Sequence, residues 1–372
     1  MQSGNKRVFI SIPWFSPAFR GGGPIQSILN LVTQMQGLCD FFVFTSDSDH
    51  DGSLLAGVQT NSWINFNKST QVFYASKNNR TGKLRRELIA TRPHHVFIIG
   101  VFDWTFNIYP MLYSSIPAII SVRGMLHTGA RRYKPVKKKI FLALFKILKL
   151  HKRHSFHATD DIEAAEVKKV MGETARVFVA ENFSREIPFS AKPKEAGKLS
   201  MITIALVGPM KNHREVIRAL KKVHSPVTYH IYGPIKEQEY WRECNKEINA
   251  LTQETPVIYH GEIPPALVPD TLAGADIFIM PSRTENFGHA IIEALFAGLP
   301  VITSRNVPWL NLESKKAGVN VDVDSDKIAA AIDRFAGMDA TEFQNWKRAS
   351  RQFAESQTNT TGLIKKYLLL FK

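Results

Sequence analysis

Cysteine is nearly absent from this chain of 372 residues, which holds only Cys39 and Cys244. Two thiols build neither a disulfide framework nor a cysteine metal site, and their scarcity points to a reducing compartment. Long hydrophobic runs are missing too. No stretch approaches the roughly 18 apolar residues of a membrane span. The opening residues, MQSGNKRVFISIPW, enter a strand-like segment without the apolar run and cleavage site of a signal peptide. The expected location is cytoplasmic, or peripheral on the inner face of the cytoplasmic membrane. Acidic residues are in deficit: 33 Asp and Glu stand against 48 Lys and Arg, for a net charge of +15. That excess points to an anionic partner, whether nucleic acid, acidic lipid or a phosphorylated substrate. Zinc-ligand spacing, a basic heptad region and an aromatic RNP-like strand are all lacking, so nucleic acid is not the expected partner.

What is present is globular. With 44% hydrophobic and 22% charged residues, the chain can fill the two cores that its length suggests. Short β-branched and aromatic runs, RVFISI (7–12), DFFVFT (40–45), HVFIIG (95–100), AIISV (118–122), SFHAT (155–159) and RVFVA (176–180), alternate with helix-period segments such as 25–35 and 83–90. The stretch FSREIPFSAKPKEAGKLS has no apolar period and reads as a linker. The alternation then restarts with ITIALVG (202–208), VTYHIYG (227–233), PVIYHG (256–261), DIFIM (276–280) and PVITS (300–304). The expected fold is α/β: two doubly wound parallel-sheet, Rossmann-like domains facing a cleft. The expected boundaries are a first domain over 1–182, a linker over 183–200, a second domain over 201–350, and a C-terminal helix over 351–372 packing back on the first.

Ligands of such sheets bind beyond the carboxyl ends of the strands. There the second half carries PSRTENFGHAIIEALFAGLPVI (281–302). Glu285 falls in the loop after a strand. A helix starting near Phe287 and stopping at Gly298 would aim the amides of Asn286, Phe287, Gly288 and His289 at an anionic or hydroxyl-rich ligand. Glu293, one turn beyond His289 on the same face, could accept hydrogen bonds from vicinal hydroxyls such as those of a ribose. The alternative is that Glu285 merely favours the helix dipole and Glu293 is a solvated carboxylate.

Glu, seven residues, Glu, followed by Ala, Gly and a Pro-Val strand, resembles the signature of the family-four retaining glycosyltransferases of the GT-B fold, in a variety resembling enzymes of bacterial surface polysaccharide assembly. The resemblance implies that Glu285 contacts the donor sugar and Glu293 the ribose of the nucleotide. Three further stretches match. In WFSPAFRGGGPIQSI, Gly21, Gly22 and Gly23 precede Pro24 at an expected first helical position; the family's loop there lies against the donor diphosphate and helps shape the acceptor pocket. ALVGPMKNHREVIRAL places Gly208 before Lys211, the expected diphosphate ligand. An arginine that the family usually has just after this glycine is missing, and neither Arg214 nor Arg283 matches its place. SVRGMLHTGARRYKPVKKKIF resembles the family's arginine-glycine loop, making Arg123 a candidate for acceptor or phosphate and His127 a candidate catalytic group. Asp103, ending another strand, is a further acceptor or phosphate candidate, or else a turn or cap residue.

These parts suit retaining transfer of a sugar from a nucleotide-diphosphate sugar to a lipid-linked, lipopolysaccharide or polysaccharide acceptor. Lys211 and the oriented amides would offset the charge of the leaving diphosphate. No Asp-x-Asp metal motif is found on this reading, and neither a metal nor another cofactor is expected. The alternatives are a sugar-nucleotide epimerase on the same fold and a catalytically silent sugar or lipid binding protein. The excess positive charge is assigned to VKKKIFLALFKILKLHKR (136–153). Val136, Ile140, Leu144, Ile147 and Leu148 share one helical face, expected to pack on the first domain. Leu142 and Phe145 fall among the cations opposite, where they would meet an anionic membrane surface.

Overall fold

The computed structural model describes residues 5–127, 135–195 and 197–372. They form two compact units, one of residues 1–183 with 359–372 and one of residues 184–358.

The first unit is built on β1 (Lys6–Ser11), β2 (Cys39–Ser46), β3 (Trp63–Asn67), β4 (Thr70–Ala75), β5 (His95–Ile99), β6 (Ala118–Ser121), β7 (Ser155–Ala158) and β8 (Val177–Val179). Their order in the sheet is β3-β4-β2-β1-β5-β6-β7-β8. Every pairing is parallel except that of β3 with β4. Side chains alternate across the sheet: Val8 and Ile10 enter one core, with Val43, Phe97 and Ile99, while Phe9 enters the other, with Phe44, Ile98 and Ile120. Burial on both faces explains why these strands read as continuous apolar runs.

The second unit contains β9 (Leu199–Ile204), β10 (Val227–Tyr232), β11 (Val257–Tyr259), β12 (Ile277–Met280), β13 (Val301–Ser304) and β14 (Gly318–Val321), all parallel, in the order β11-β10-β9-β12-β13-β14. In each sheet the chain reverses its direction of progress once, beside β1 in the first and beside β9 in the second. The loops that leave β9 and β12 are therefore brought to one place, and likewise those that leave β1 and β5.

The structure corrects several expectations. The antiparallel β3–β4 pair was not foreseen, because WINFN mixes polar residues into an edge strand. Residues 184–195 lack regular structure but are not a free tether. Arg351 Nη1 donates to the carbonyl of Ile187 at 2.6 Å, the buried Lys194 Nζ to those of Ala336 and Met338 at 2.7 and 3.2 Å, and the buried Lys347 Nζ to that of Lys192 at 2.8 Å. All these groups belong to the second unit. The single helix expected over 351–372 is two helices, Ala340–Gln357 in the second unit and Thr360–Leu370 in the first. They part at Asn359, whose side chain caps the latter by accepting from the Gly362 amide at 2.8 Å. Tyr367 and Phe371 of this last helical turn then pack beside Phe97 and Phe183.

The basic helix is turned over. It spans Pro135–Ile147, and Lys149, in the left-handed region at φ 54°, breaks it before a short turn Leu150–Arg153. Phe145 is buried, and Phe141 and Leu142 pack on the same core. Val136, Ile140, Leu144, Ile147 and Leu148 are exposed. Aromatic area decides the orientation: Phe141 packs edge-on to Phe102 at 5.4 Å, and Phe145 sits 5.8 Å from Phe141 and 6.3 Å from Phe156. Unfolding in urea tests this face. Phe145→Ala should cost about 3–5 kcal/mol, the range for deleting a buried phenyl ring, whereas Ile147→Ser should change stability by less than about 0.5 kcal/mol, as surface changes do. Equal losses would mean that the apolar stripe is the buried one.

Candidate active site

The hydrogen-bonded neighbours β9 and β12 deliver two loops to one place, and side chains lace them together. Asn212, in the left-handed region at φ 58°, donates from Nδ2 to the Pro281 carbonyl at 2.7 Å and accepts from Arg283 Nε at 3.3 Å. The Arg283 amide donates to the Met210 carbonyl at 2.8 Å. The loop after β13 joins them, since the Glu285 amide donates to the Asn306 carbonyl at 3.1 Å. In this frame Lys211 Nζ meets Glu285 Oε1 at 2.5 Å, with the carboxylate side chain only 10% exposed. The two residues read separately from the sequence are thus one ion pair.

Helix His289–Phe296 begins two residues later than expected. Gly288 is its N-cap at φ 75°, and no side chain caps it. Among the described residues the amides of Phe287, Gly288 and Ala290 have no acceptor, which makes this end a set of convergent donors. A Cβ at Gly288 would lie 3.2 Å from Ile291 Cδ1 and 3.3 Å from Trp309 Nε1. The Trp309 indole, which the sequence reading missed, packs edge-on to Phe287 at 5.1 Å, and its buried Nε1 has no acceptor among the described residues.

Glu293 is 8% exposed, and its carboxylate accepts no hydrogen bond among the described residues. Burial pushes its pKa up to about 7, with partial relief from the Arg185 charge. It is therefore not a solvated helix carboxylate. Gly208, at φ −174°, adopts extended backbone open to any residue, and a Cβ there would touch nothing closer than Lys236 Cβ at 3.8 Å. Of the two arginines that might replace the missing one, Arg214 is engaged with Glu243 at 2.6 Å and Glu247 at 3.4 Å. Arg283 borders Lys211 through Asn212.

In the first unit the loop after β1 is held by Asp49, which accepts from the amides of Phe19 at 3.0 Å and Arg20 at 3.2 Å. Gly22, at φ 73°, caps helix Gly23–Gln34, so Pro24 is the second helical residue rather than the first. The Gly21 and Gly23 amides have no acceptor among the described residues. Gly21 also has a packing reason, since a Cβ would come within 3.0 Å of Ile25 and 3.1 Å of Trp14. Arg123 turns inward: Nη1 donates to Asn182, and Nε and Nη2 are buried beside Tyr367 and Glu163. Glu163 pins the same loop by accepting from the Gly124 amide and, at 2.7 Å, from the Thr159 amide. One guanidinium nitrogen is thus engaged within the unit, and two lack a hydrogen-bond partner among the described residues. Asp103 is a cap, accepting from the Phe106 amide at 2.7 Å. The His127 amide donates to the Gly124 carbonyl at 3.1 Å, and residues 128–134, which follow it in the quoted loop, lie outside the described residues.

Asp-x-Asp spacings do occur, at 47–51 and 322–326, and the structure spends each carboxylate elsewhere. Asp47 pairs with Arg80, Asp51 with Arg20, Asp322 with Arg305 and Asp326 with Lys222. Asp49 holds its loop as described, and Asp324 caps helix Ser325–Gly337.

Two Rossmann-like parallel-sheet units, the second with a laced switch point, define the GT-B fold. Residues 184–353 match the family model Glycosyl transferases group 1. The O-antigen chain mannosyltransferase B of Escherichia coli is 27% identical over 198 residues, covering 50% of this chain and 49% of that protein. An uncharacterized 41.2 kDa protein of the cps region of Klebsiella pneumoniae is 24% identical over 180 residues, 47% of this chain and 46% of that one. The chain spans about half the length of these curated relatives. Among solved structures, Anabaena Alr3699/HepE in complex with UDP and glucose superposes with a TM-score of 0.70 at 15% identity, over 99% of both chains. WaaG, a glycosyltransferase involved in lipopolysaccharide biosynthesis, does so at 0.68 and 14%, over 98% of this chain and 99% of its own.

The burial of Glu293 has a thermodynamic sign. Its folded pKa is raised from 4.5 to about 7, so below about pH 4.5 the carboxyl is neutral in both states and costs nothing. As pH rises toward 7 only the unfolded chain loses the proton, and the folded state loses on the order of 3 kcal/mol of stability. Glu293→Gln should therefore raise the melting temperature at pH 8 and leave it nearly unchanged at pH 4.5. A variant less stable than the parent at pH 8 would show that the carboxylate is satisfied.

Proposed function

We propose that the chain is a retaining glycosyltransferase that moves a sugar from a nucleotide-diphosphate sugar to a lipid-linked, lipopolysaccharide or polysaccharide acceptor. One observation carries the proposal: within a group 1 glycosyltransferase domain, the Lys211–Glu285 pair, the open helix terminus at Phe287, Gly288 and Ala290, and the unsatisfied Glu293 belong to one strand-end construction. The donor has matching parts. Its diphosphate takes the ammonium of Lys211 and the amide donors, its sugar hydroxyls take the released carboxylate of Glu285, and its ribose diol donates to Glu293. Binding exchanges one ion pair for two sets of ligand contacts, so the cost of separating Lys211 from Glu285 is offset. The open approach to Gly208 leaves room for phosphate oxygens beside the backbone.

When the anomeric C–O bond breaks, negative charge grows on the diphosphate and positive charge on the ring. Once the donor has drawn Lys211 and Glu285 apart, Lys211 and the oriented amides stabilise the first with no further reorganisation during bond breaking, and Glu285 faces the second. The acceptor oxygen attacks from the face the leaving group departs, and its proton passes to the departing phosphate, which gives retention without a protein base. No step is assigned to a metal or to another cofactor. The UDP and glucose named with HepE, the lipopolysaccharide biosynthesis named with WaaG and the O-antigen chain named with the Escherichia coli relative favour this donor and acceptor chemistry.

The test is turnover of a panel of nucleotide-diphosphate sugars with a bacterial lipid extract as acceptor. Glu285→Gln and Lys211→Ala should each lower transfer at least about a hundredfold, the scale for losing one transition-state contact, with the melting temperature retained and the parent active in excess EDTA. Donor conversion without acceptor would instead indicate an epimerase, and nucleotide binding without turnover a silent binding protein. A strict divalent-ion requirement would overturn the role of Lys211.

A further inference from the structure

The helix Pro135–Ile147 presents to solvent the face that an ordinary amphipathic helix hides. Val136, Ile140, Leu144 and Ile147 fall within about 80° of arc at the usual helical advance, and each is between 52% and 72% exposed. Leu148 continues the stripe just past the helix, 59% exposed. The opposite side is anchored by Phe145 and by Phe141 and Leu142, so the helix cannot roll its stripe inward without giving up that core. Exposed Lys139 and Lys146 flank the stripe on one side, and exposed Lys149 and Lys152 follow it. The setting is one-signed: from Trp104 to Thr159 the chain has eleven Lys and Arg and no Asp or Glu.

We propose that this helix docks the chain on an anionic lipid surface, with Val136, Ile140, Leu144, Ile147 and Leu148 entering the acyl boundary and the flanking lysines meeting lipid phosphates. Thirteen residues are too few to span a bilayer, and no helix among the described residues is long and apolar enough to do so. An apolar stripe bordered by cations is the composition of a helix lying in the plane of the interface. Charge selects this occupant over a second copy of the chain, because pairing two such faces would bring their flanking lysines together, whereas anionic headgroups neutralise them. The inference stands on this helix alone and is independent of sugar transfer. It reverses the face expected from the sequence, where Leu142 and Phe145 were assigned to the membrane.

Co-sedimentation of the full chain with vesicles tests it, using phosphatidylcholine alone and phosphatidylcholine mixed with phosphatidylglycerol, at rising salt. Binding should require the anionic lipid and weaken as salt screens it. The exposed-site variant Ile140→Ser, Leu144→Ser, Ile147→Ser should bind at least about tenfold more weakly with its circular dichroism and melting temperature retained, and Lys139→Glu, Lys146→Glu should also lose binding. Equal binding to neutral vesicles, no binding to either kind, or undiminished binding by the triple serine variant would overturn the proposal. So would a parent dimer in sedimentation velocity that the triple variant abolishes while vesicle binding is absent, a result that gives the stripe to a second copy.

Discussion

The parallel pairing of β9 with β12 is the constraint on which the rest of the candidate site depends. Lys211 and Glu285 are far apart in sequence, and nothing local holds either near the other. Once Met201 and Ile202 register against Ile277 and Phe278, the two strands end side by side and their exit loops share one space. Asn212 and Arg283 then tie those loops together, and the next strand over, β13, adds Asn306. The ion pair is a product of this frame rather than its cause. A partly buried pair contributes little net stability after desolvation, but the frame fixes where both charges sit, and preorganised charge is what polar catalysis needs.

The same frame leaves several groups poorly satisfied. Helix His289–Phe296 has no side-chain cap, Trp309 buries an indole N–H without an acceptor among the described residues, and Glu293 sits where burial raises its pKa to about 7. A sequence selected only for stability would cap the helix with Ser or Asp and replace Glu293 by an apolar residue. Stability is given up here within one loop and one helix, where a hydroxyl-rich anionic ligand could return it. In the first unit Glu163 is satisfied by the Gly124 and Thr159 amides, whereas Arg123 donates to Asn182 from Nη1 alone and keeps Nε and Nη2 buried without a hydrogen-bond partner among the described residues.

Much of this was legible in the sequence. The alternation of apolar runs with helical periods is dictated by sheets buried on both faces, and the spacing of Glu285 and Glu293 around a loop-to-helix junction survives in the structure. What failed did so for identifiable reasons. Residues 136–153 carry apolar side chains on both faces, and periodicity cannot weigh one face against the other; Phe102 and Phe156, distant in sequence, decide in favour of Phe141 and Phe145. The contact of Arg123 Nη1 with Asn182, far along the chain, could not be read from the motif around Arg123. Residues 184–195 show no apolar period because they are held by lysine and arginine donors on backbone carbonyls, and such bonds leave no periodic trace.

The glycines separate the demands of the fold from those of a ligand. Gly288 and Gly22 have positive φ, and Gly288 also lies against Ile291 and Trp309, so the backbone accounts for both residues. Gly21 is explained by Trp14 and Ile25. Gly208 has neither reason: its dihedrals suit any residue, and a Cβ would enter open space beside Lys236 and Glu237. A glycine that the fold does not require, three residues before Lys211 at the end of β9, is accounted for if something outside the chain must approach the backbone there. The donor diphosphate proposed above would be such a group, since Lys211 follows in the same loop.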